Sequence, residues 1–307
     1  MTPPPQSNSH TPSKTSRTSQ NRTKGIIFVL ISWIFYTSVI ALSRTASERT
    51  SVPVVLLFQN FIGMLFILPW MIRKGKKSLR LTKIKGIAIR TIAGYLSYAF
   101  VFLAVQRISL VNTVLLSNSA PLFIPLIIWL WRGVKINKRL WLGILLGFFG
   151  IAFILRPTGD IINVGALYGI GAAICLSISS IAKRRLVKTE RVITILFYYF
   201  LISTLISIPF SIESWKPIDK ETLFLLCSIG ALFVCGQAFF SNAYRYEKPS
   251  VLSPFNYSSV VYGALIQWLV WGNFPNWCTI MGIVVVCTGG ILTIMQGPQI
   301  PPDKKRR

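Results

Sequence analysis

The sequence predicts an all-α integral membrane protein of ten transmembrane helices, arranged as two inverted five-helix repeats. Three observations carry the prediction. The 307 residues are 52% hydrophobic and only 13% charged, with a mean hydropathy of +0.58, which is more apolar material than one or two soluble cores would bury. Apolar stretches long enough to cross a bilayer core of roughly 30 Å recur from Gly25 to Gln296. The basic residues between these stretches alternate between rich and poor loops, as they do in polytopic proteins.

The apolar stretches place spans at 25–43, 53–72, 86–106, 110–131 and 139–156, then at 164–182, 192–210, 221–244, 249–271 and 276–296. Connections are short, and several carry Pro or Gly breakers, such as Val52-Pro53, Arg156-Pro157-Thr158-Gly159 and Lys248-Pro249. Loop charge tests the partition. One set of loops holds six basic residues: Arg44, Arg49, Arg107, Arg156, Lys216 and Lys220. The other set, both tails included, holds twenty-six of the 33, and Arg90 lies inside the third span. An alternation without exception fits an even number of spans with both termini in the cytoplasm of an inner membrane.

A net charge of +25 would suggest nucleic acid in a soluble protein. Here the charges sit between apolar spans and not among exposed aromatics, so topology accounts for them and nucleic acid is not an expected partner. Cys175, Cys227, Cys235, Cys278 and Cys287 fall in or beside apolar spans without a CxxC pair, which reads as small buried hydrophobes. Residues 1–24 are rich in Pro, Ser and Thr and lack Asp and Glu, so a disordered cytoplasmic tail is expected there. The tail lacks the leucines of an amphipathic transit peptide, and the apolar run after Lys24 is too long for a cleaved signal. The remaining divisions are a first repeat at 25–156, a second at 164–296 and a basic cytoplasmic tail at 297–307.

The repeat is visible in matched positions. Gly25 and Arg44 bracket the first span as Gly165 and Arg184 bracket the sixth, with Phe28 opposite Tyr168. The fourth span ends Trp129-Leu130-Trp131 and the ninth ends Trp268-Leu269-Val270-Trp271. Because five is odd, the second copy must enter the membrane upside down, an arrangement typical of transporters. Val111-Asn112-Thr113-Val114-Leu115-Leu116-Ser117-Asn118-Ser119-Ala120-Pro121-Leu122-Phe123 resembles the fourth-helix motif of the EamA-like branch of the drug/metabolite transporter superfamily. Ser250-Val251-Leu252-Ser253-Pro254-Phe255-Asn256-Tyr257, followed by Trp271-Gly272-Asn273-Phe274-Pro275, resembles its ninth-helix counterpart. Around Pro254 to Tyr257 and Phe274-Pro275 the pattern is most similar to carriers of the S-adenosylmethionine uptake type. The family commonly carries a Glu after the fourth and ninth helices, where this chain has Val134 and Asn273.

Candidate site residues follow from polarity inside the spans. All eight acidic residues lie in tails, loops or span ends, and the one histidine is His10 in the tail. That pattern offers no obvious proton carrier, acid/base pair or metal-ligand set, so neither an enzyme, a metal nor a cofactor is expected. Arg90 reads either as a snorkelling side chain or as an anchor for a substrate carboxylate or phosphate. Thr91, Tyr95, Tyr98 and Phe102 form a stripe on its helix, which reads either as packing or, facing a cavity, as a surface that stacks on a planar or cationic substrate. Gly230, Val234, Gln237, Ser241 and Arg245 share one face of the eighth span, and Ser253, Asn256, Val260, Gly263 and Gln267 one face of the ninth. Such stripes describe either interhelical hydrogen bonding or a polar cavity wall. Asn112, Ser117, Asn118 and Ser119 occupy the corresponding place in the first half. The expected substrate-binding set is Arg90, Tyr98, Asn118, Gln237, Asn256 and Tyr257. Gly143, Gly147, Gly150, Gly282 and Gly289 read as close-packing positions. The sequence thus points to a carrier of a small polar metabolite, embedded in the lipid bilayer and working by alternating access, with a channel and an intramembrane enzyme as rivals.

Overall fold

The computed structural model describes residues 14–73, 83–133, 138–155, 164–187, 189–246, 252–273 and 277–296. Among these residues there are helices and no strand: α1 (Lys14–Arg49), α2 (Val52–Arg73), α3 (Ile84–Val105), α4 (Leu110–Ser117), α5 (Ala120–Arg132), α6 (Lys138–Leu155), α7 (Val164–Leu186), α8 (Val192–Glu213), α9 (Lys220–Tyr246), a 3-10 turn (Ser253–Tyr257), α10 (Ser258–Trp271) and α11 (Trp277–Gln296). The fourth span is α4 with α5, and the ninth is the 3-10 turn with α10. Among the described residues, seven segments are long and apolar enough to cross a membrane, with shorter apolar helices at Trp141–Ile151 and Ile280–Gly289. Helix α1 begins at Lys14, inside the stretch whose composition suggested a tail. Val134, Phe274-Pro275, Lys248-Pro249 and the C-terminal basic residues lie outside the described residues.

The two halves are packed alike. Helix α1 lies along α9, and α3 lies along α7. With five spans per repeat, exchanging the halves turns span one into six and eight into three, so each of these pairs becomes the other. The pairs α2 with α8 and α6 with α11 map onto themselves. A scheme that survives the exchange is what a pseudo-two-fold axis produces. Local features repeat too. Pro69 in α2 and Pro209 in α8 stand at the same interval as Gly25 and Gly165. Helices α5 and α10 both end on a glycine in the left-handed region, Gly133 (φ 61°) and Gly272 (φ 67°), conformations that a Cβ makes costly. Their amides donate to the carbonyls of Trp129 and Trp268.

Burial is that of a protein in lipid. Phe66, Trp70, Leu130, Leu142, Phe224 and Leu269 are exposed, whereas Ser32, Thr37, Gln59, Asn60, Thr91 and Ser203 are buried. Glycines set the closest crossing, as the sequence suggested. A Cβ on Gly289 would strike the backbone nitrogen of Gly147 and lie 2.7 Å from its Cα, so α11 and α6 meet backbone to backbone.

The break in the fourth span has a local cause. Pro121 offers no N–H, and its ring conflicts with the carbonyl one turn earlier. Polar side chains back-bond around it: Ser117 Oγ donates to Thr113 O (2.7 Å), Asn118 Nδ2 to Val114 O (2.8 Å) and Ser119 Oγ to Leu116 O (2.6 Å). Ser177 of α7 donates to Ala120 O at 2.8 Å. Irregular backbone at membrane depth is tolerable only with such partners.

Candidate substrate-binding site

Two groups of polar and aromatic side chains gather where the repeats meet. The first surrounds Arg90. Its side chain is buried at 7% exposure and folds inward, so it does not snorkel to the surface. The fold back along α3 passes over Gly94, whose absent Cβ would stand 2.5 Å from Arg90 Nη1. Nη1 donates to Ser179 Oγ of α7 at 2.9 Å, and that hydroxyl donates to the Arg90 carbonyl, also at 2.9 Å. The guanidinium carbon sits 4.5 Å from the ring centroid of Tyr199 on α8, a cation–π contact. Nε is sealed and has no hydrogen-bond partner.

Beside this group stands an aromatic wall. Phe233, Gln237 and Phe240 lie at helical spacing on one face of α9. Phe233 meets Tyr98 of α3 edge-on at 5.0 Å and Tyr36 of α1 at 5.8 Å. Phe240 meets Tyr36 at 6.0 Å and Trp33 at 6.2 Å. Lys183, in the last turn of α7, holds its ammonium 5.5 Å from the Phe240 centroid. Gln237 is buried on the same face of α9.

The second group joins the two broken spans. Asn118 Nδ2 donates to Ser259 Oγ at 3.0 Å, Ser259 Oγ donates to the Asn256 carbonyl at 2.7 Å, and Trp33 Nε1 donates to Asn256 Oδ1 at 3.0 Å. One chain of hydrogen bonds therefore runs from α4 through α10 to α1. Tyr257 is buried with its hydroxyl unpartnered. The rest of the ninth-span stripe serves packing: Gln267 Oε1 accepts from the Val111 amide, and Gly263 faces Val114 and Thr37. Gly230 of the eighth-span stripe packs on Ile62. A separate cleft of about 320 Å³ between α1 and α10, lined by Leu42, Thr45 and Trp271, contains none of the predicted residues.

Of the six predicted residues, Asn118 and Asn256 are linked through Ser259, while Tyr98 and Gln237 share the aromatic wall. No hydrogen bond joins the Arg90 group to the Asn118 group among the described residues. Sequence reasoning missed Trp33, Tyr36, Ser179, Lys183, Tyr199 and Ser259. The i, i+3 spacing of Trp33 and Tyr36 and the i, i+4 spacing of Ser179 and Lys183 were the available signals.

The loop charges form a second linkage. Arg49 Nη1 lies 2.7 Å from Glu221 Oε2 and 3.8 Å from Asp219 Oδ2, and Ser51 Oγ is 2.8 Å from Ser214 Oγ. All of these residues belong to loops or span ends that the charge alternation places on one side.

Two matches of a single family model, that of the EamA-like transporter family, cover residues 23–156 and 163–295. The chain belongs to this family. A pseudopaline exporter, CntI, of Pseudomonas aeruginosa is 26% identical over 86% of this chain and 94% of its own length. An S-adenosylmethionine uptake transporter of Rickettsia bellii is 23% identical over 88% and 93%, and a riboflavin transporter of Brucella anthropi 26% identical over 78% and 88%. A solved crystal structure covers 89% of this chain and 96% of its own with a TM-score of 0.60 at 16% identity, a likeness of fold. The protein is therefore a multi-pass membrane transporter of a small molecule and not an enzyme.

Proposed function

We propose that this EamA-like transporter is an alternating-access carrier of a small polar metabolite. Its substrate site lies at the repeat interface among Arg90, Tyr98, Asn118, Gln237, Asn256 and Tyr257. The observation that carries the reading is the hydrogen-bond chain from Asn118 through Ser259 and Asn256 to Trp33. It ties the break in span four to the break in span nine, and broken helices at a repeat interface are where inverted-repeat carriers bind. The Arg49–Glu221 contact is the natural clasp on the opposite, outer side. An exposed ion pair of this kind contributes little to stability, so it can open without great cost. A channel would require a continuous pore or a ring of charge, and no such ring stands out within the spans of the sequence.

S-Adenosylmethionine, amino-acid-like and nucleotide-like compounds are the first candidates, following the relatives' names and the ninth-helix resemblance. The chain would sit in the inner membrane with both termini cytoplasmic, a tail at 1–24, repeats at 25–156 and 164–296, and a basic tail at 297–307. Reporter fusions after Gln20 and Pro302 test the topology; two periplasmic readouts would sink it. For the mechanism, purified protein is reconstituted in vesicles loaded with deproteinised cell extract, and the metabolites that exchange are profiled. Saturable, trans-stimulated flux supports a carrier, while flux proportional to concentration without trans-stimulation supports a channel.

A further inference from the structure

Arg90, over the Tyr199 ring, and Lys183, over the Phe240 ring, come from different helices, and neither has a carboxylate partner among the described residues. Ser179, which clasps Arg90, and Lys183 are one turn apart on α7, so they share the face that meets α3. The Lys183 ammonium lies against Phe240, and Phe240 packs on Tyr36 and Trp33. Among the described residues, Arg49 pairs with Asp219 and Glu221. Those carboxylates belong to the opposite end of α9, some 30 Å from Phe240 by helix rise. A buried guanidinium with an unpartnered Nε and a neighbouring ammonium are costly in a low-dielectric interior unless an anion joins them. Among the described residues, no carboxylate pairs with either cation.

We propose that Arg90 and Lys183 form an oxyanion site, so that the transported compound carries a carboxylate or phosphate. The guanidinium fork and the ammonium hold the anion. Tyr98, Tyr36 and Phe240 offer ring faces and edges to its flat or apolar portion, and the Gln237 amide orients it. This rests on the carrier reading and adds to it the class of substrate and a role for Lys183.

The test uses Gln237→Cys in a background whose native cysteines are replaced, reconstituted in phosphatidylcholine nanodiscs without anionic headgroups. Its reaction rates with an anionic probe, sulfonatoethyl methanethiosulfonate, and a cationic one, trimethylammonioethyl methanethiosulfonate, are compared with those of a small free thiol. The anionic reagent should be favoured. Arg90→Gln and Lys183→Met should each lower the preference by about tenfold, as expected for losing one charge at close range in a partly desolvated site, while Lys183→Arg should keep it. Lys183 is the less buried of the two, so its variants remain informative if Arg90→Gln misfolds. A preference unmoved by either substitution, or a cysteine that reacts with neither reagent, overturns the site. Extract-loaded vesicles give the second arm: metabolites exchanged by the unaltered protein should carry a carboxylate or phosphate, and exclusively neutral or cationic ones overturn the proposal. Preference for the anion without any flux would instead remove the carrier reading and leave the anion site standing.

Discussion

The Asn118 side chain donates to Ser259 Oγ at 3.0 Å, and this bond joins the break in span four to the first turn of α10. Asn118 caps the end of α4 and Ser259 stands in the first turn after the 3-10 segment, so a shift of one span is passed to the other through this bond. Interhelical hydrogen bonds in membranes are worth roughly 0.6 kcal/mol, too little to decide folding. Asn118→Ala and Ser259→Ala should therefore leave detergent melting temperatures within a few degrees of the original and cut exchange several-fold. The double variant should be no slower than the worse single one. Multiplicative losses in the double variant would show that the bond does not couple the two breaks.

Gly94 makes room for the Arg90 guanidinium. A Cβ there would stand 2.5 Å from Arg90 Nη1, 3.0 Å from Tyr199 Cε2 and 3.1 Å from Ser179 Oγ. Gly94→Ala should displace the guanidinium from Ser179 and Tyr199, at an overpacking cost of about 1–3 kcal/mol. Uptake should fall much further than stability. Gly171→Ala, whose nearest contact would be the Phe100 ring at 3.3 Å, serves as the control and should transport normally. Equal uptake in the two variants would show that the guanidinium position is irrelevant.

At the α6–α11 crossing the obstacle is backbone. The Cβ of Gly289→Ala would strike the Gly147 nitrogen and come within 2.8 Å of the Gly143 carbonyl oxygen, and neither can rotate away as a side chain would. The substitution should cost about 3 kcal/mol or more. It is read as a large drop in melting temperature and in membrane abundance, in contrast to Gly171→Ala. Normal abundance and melting would mean that the two helices do not cross this closely.

Much of this architecture is legible in the chain. Hydropathy and loop charge locate the spans, Pro121 and Pro254 locate the breaks, and the glycines of spans five and ten announce a close crossing. The site is legible only in part, because a helix displays its polar residues but not which neighbour each will face. Gly230 and Gln237 share a stripe, yet the first packs on Ile62 and the second joins the wall with Phe233 and Phe240. Lys183 reads as loop charge beside Arg184 and Arg185. The structure keeps it in the last turn of α7 and turns it onto Phe240. Ser179 and Tyr199 carry no signal until α3, α7 and α8 are brought together around Arg90.

The Arg49–Glu221 clasp should control access from its side. Glu221→Gln weakens the 2.7 Å contact with Arg49 and leaves Asp219 at 3.8 Å. A cysteine at Ser214, which touches Ser51 in the closed arrangement, should then label several-fold faster with an impermeant reagent. The Asp219 carboxylate accepts hydrogen bonds at Thr222, chiefly, and faces Arg49, which together hold its pKa below the ordinary 3.8. A depressed carboxylate contributes above its unfolded pKa and loses that contribution as pH falls through the folded one. Labelling governed by Asp219 should consequently be flat from neutral pH down to about pH 4 and rise only in stronger acid. Labelling that rises already between pH 7 and 5 would assign the closure to another group.

Transport should proceed by exchange, faster than net flux and without obligatory coupling to protons. The sequence places no Asp, Glu or His within its apolar spans: the acidic residues lie in tails, loops or span ends and the one histidine is His10. Coupled carriers use such groups because their charge can change in the working pH range, and an arginine stays charged throughout. Instead, Arg90 and Lys183 are cations without a paired carboxylate among the described residues. An empty carrier that reorients must carry those charges through the bilayer uncompensated, and a charge crossing the membrane potential alone is worth about 2.3 kcal/mol per 100 mV. A bound anion neutralises them, so reorientation is easiest when a substrate rides in each direction. Counterflow should exceed net efflux by roughly tenfold, and a protonophore should not change it at clamped potential. Accumulation that follows an imposed pH gradient and collapses with the protonophore would refute the claim.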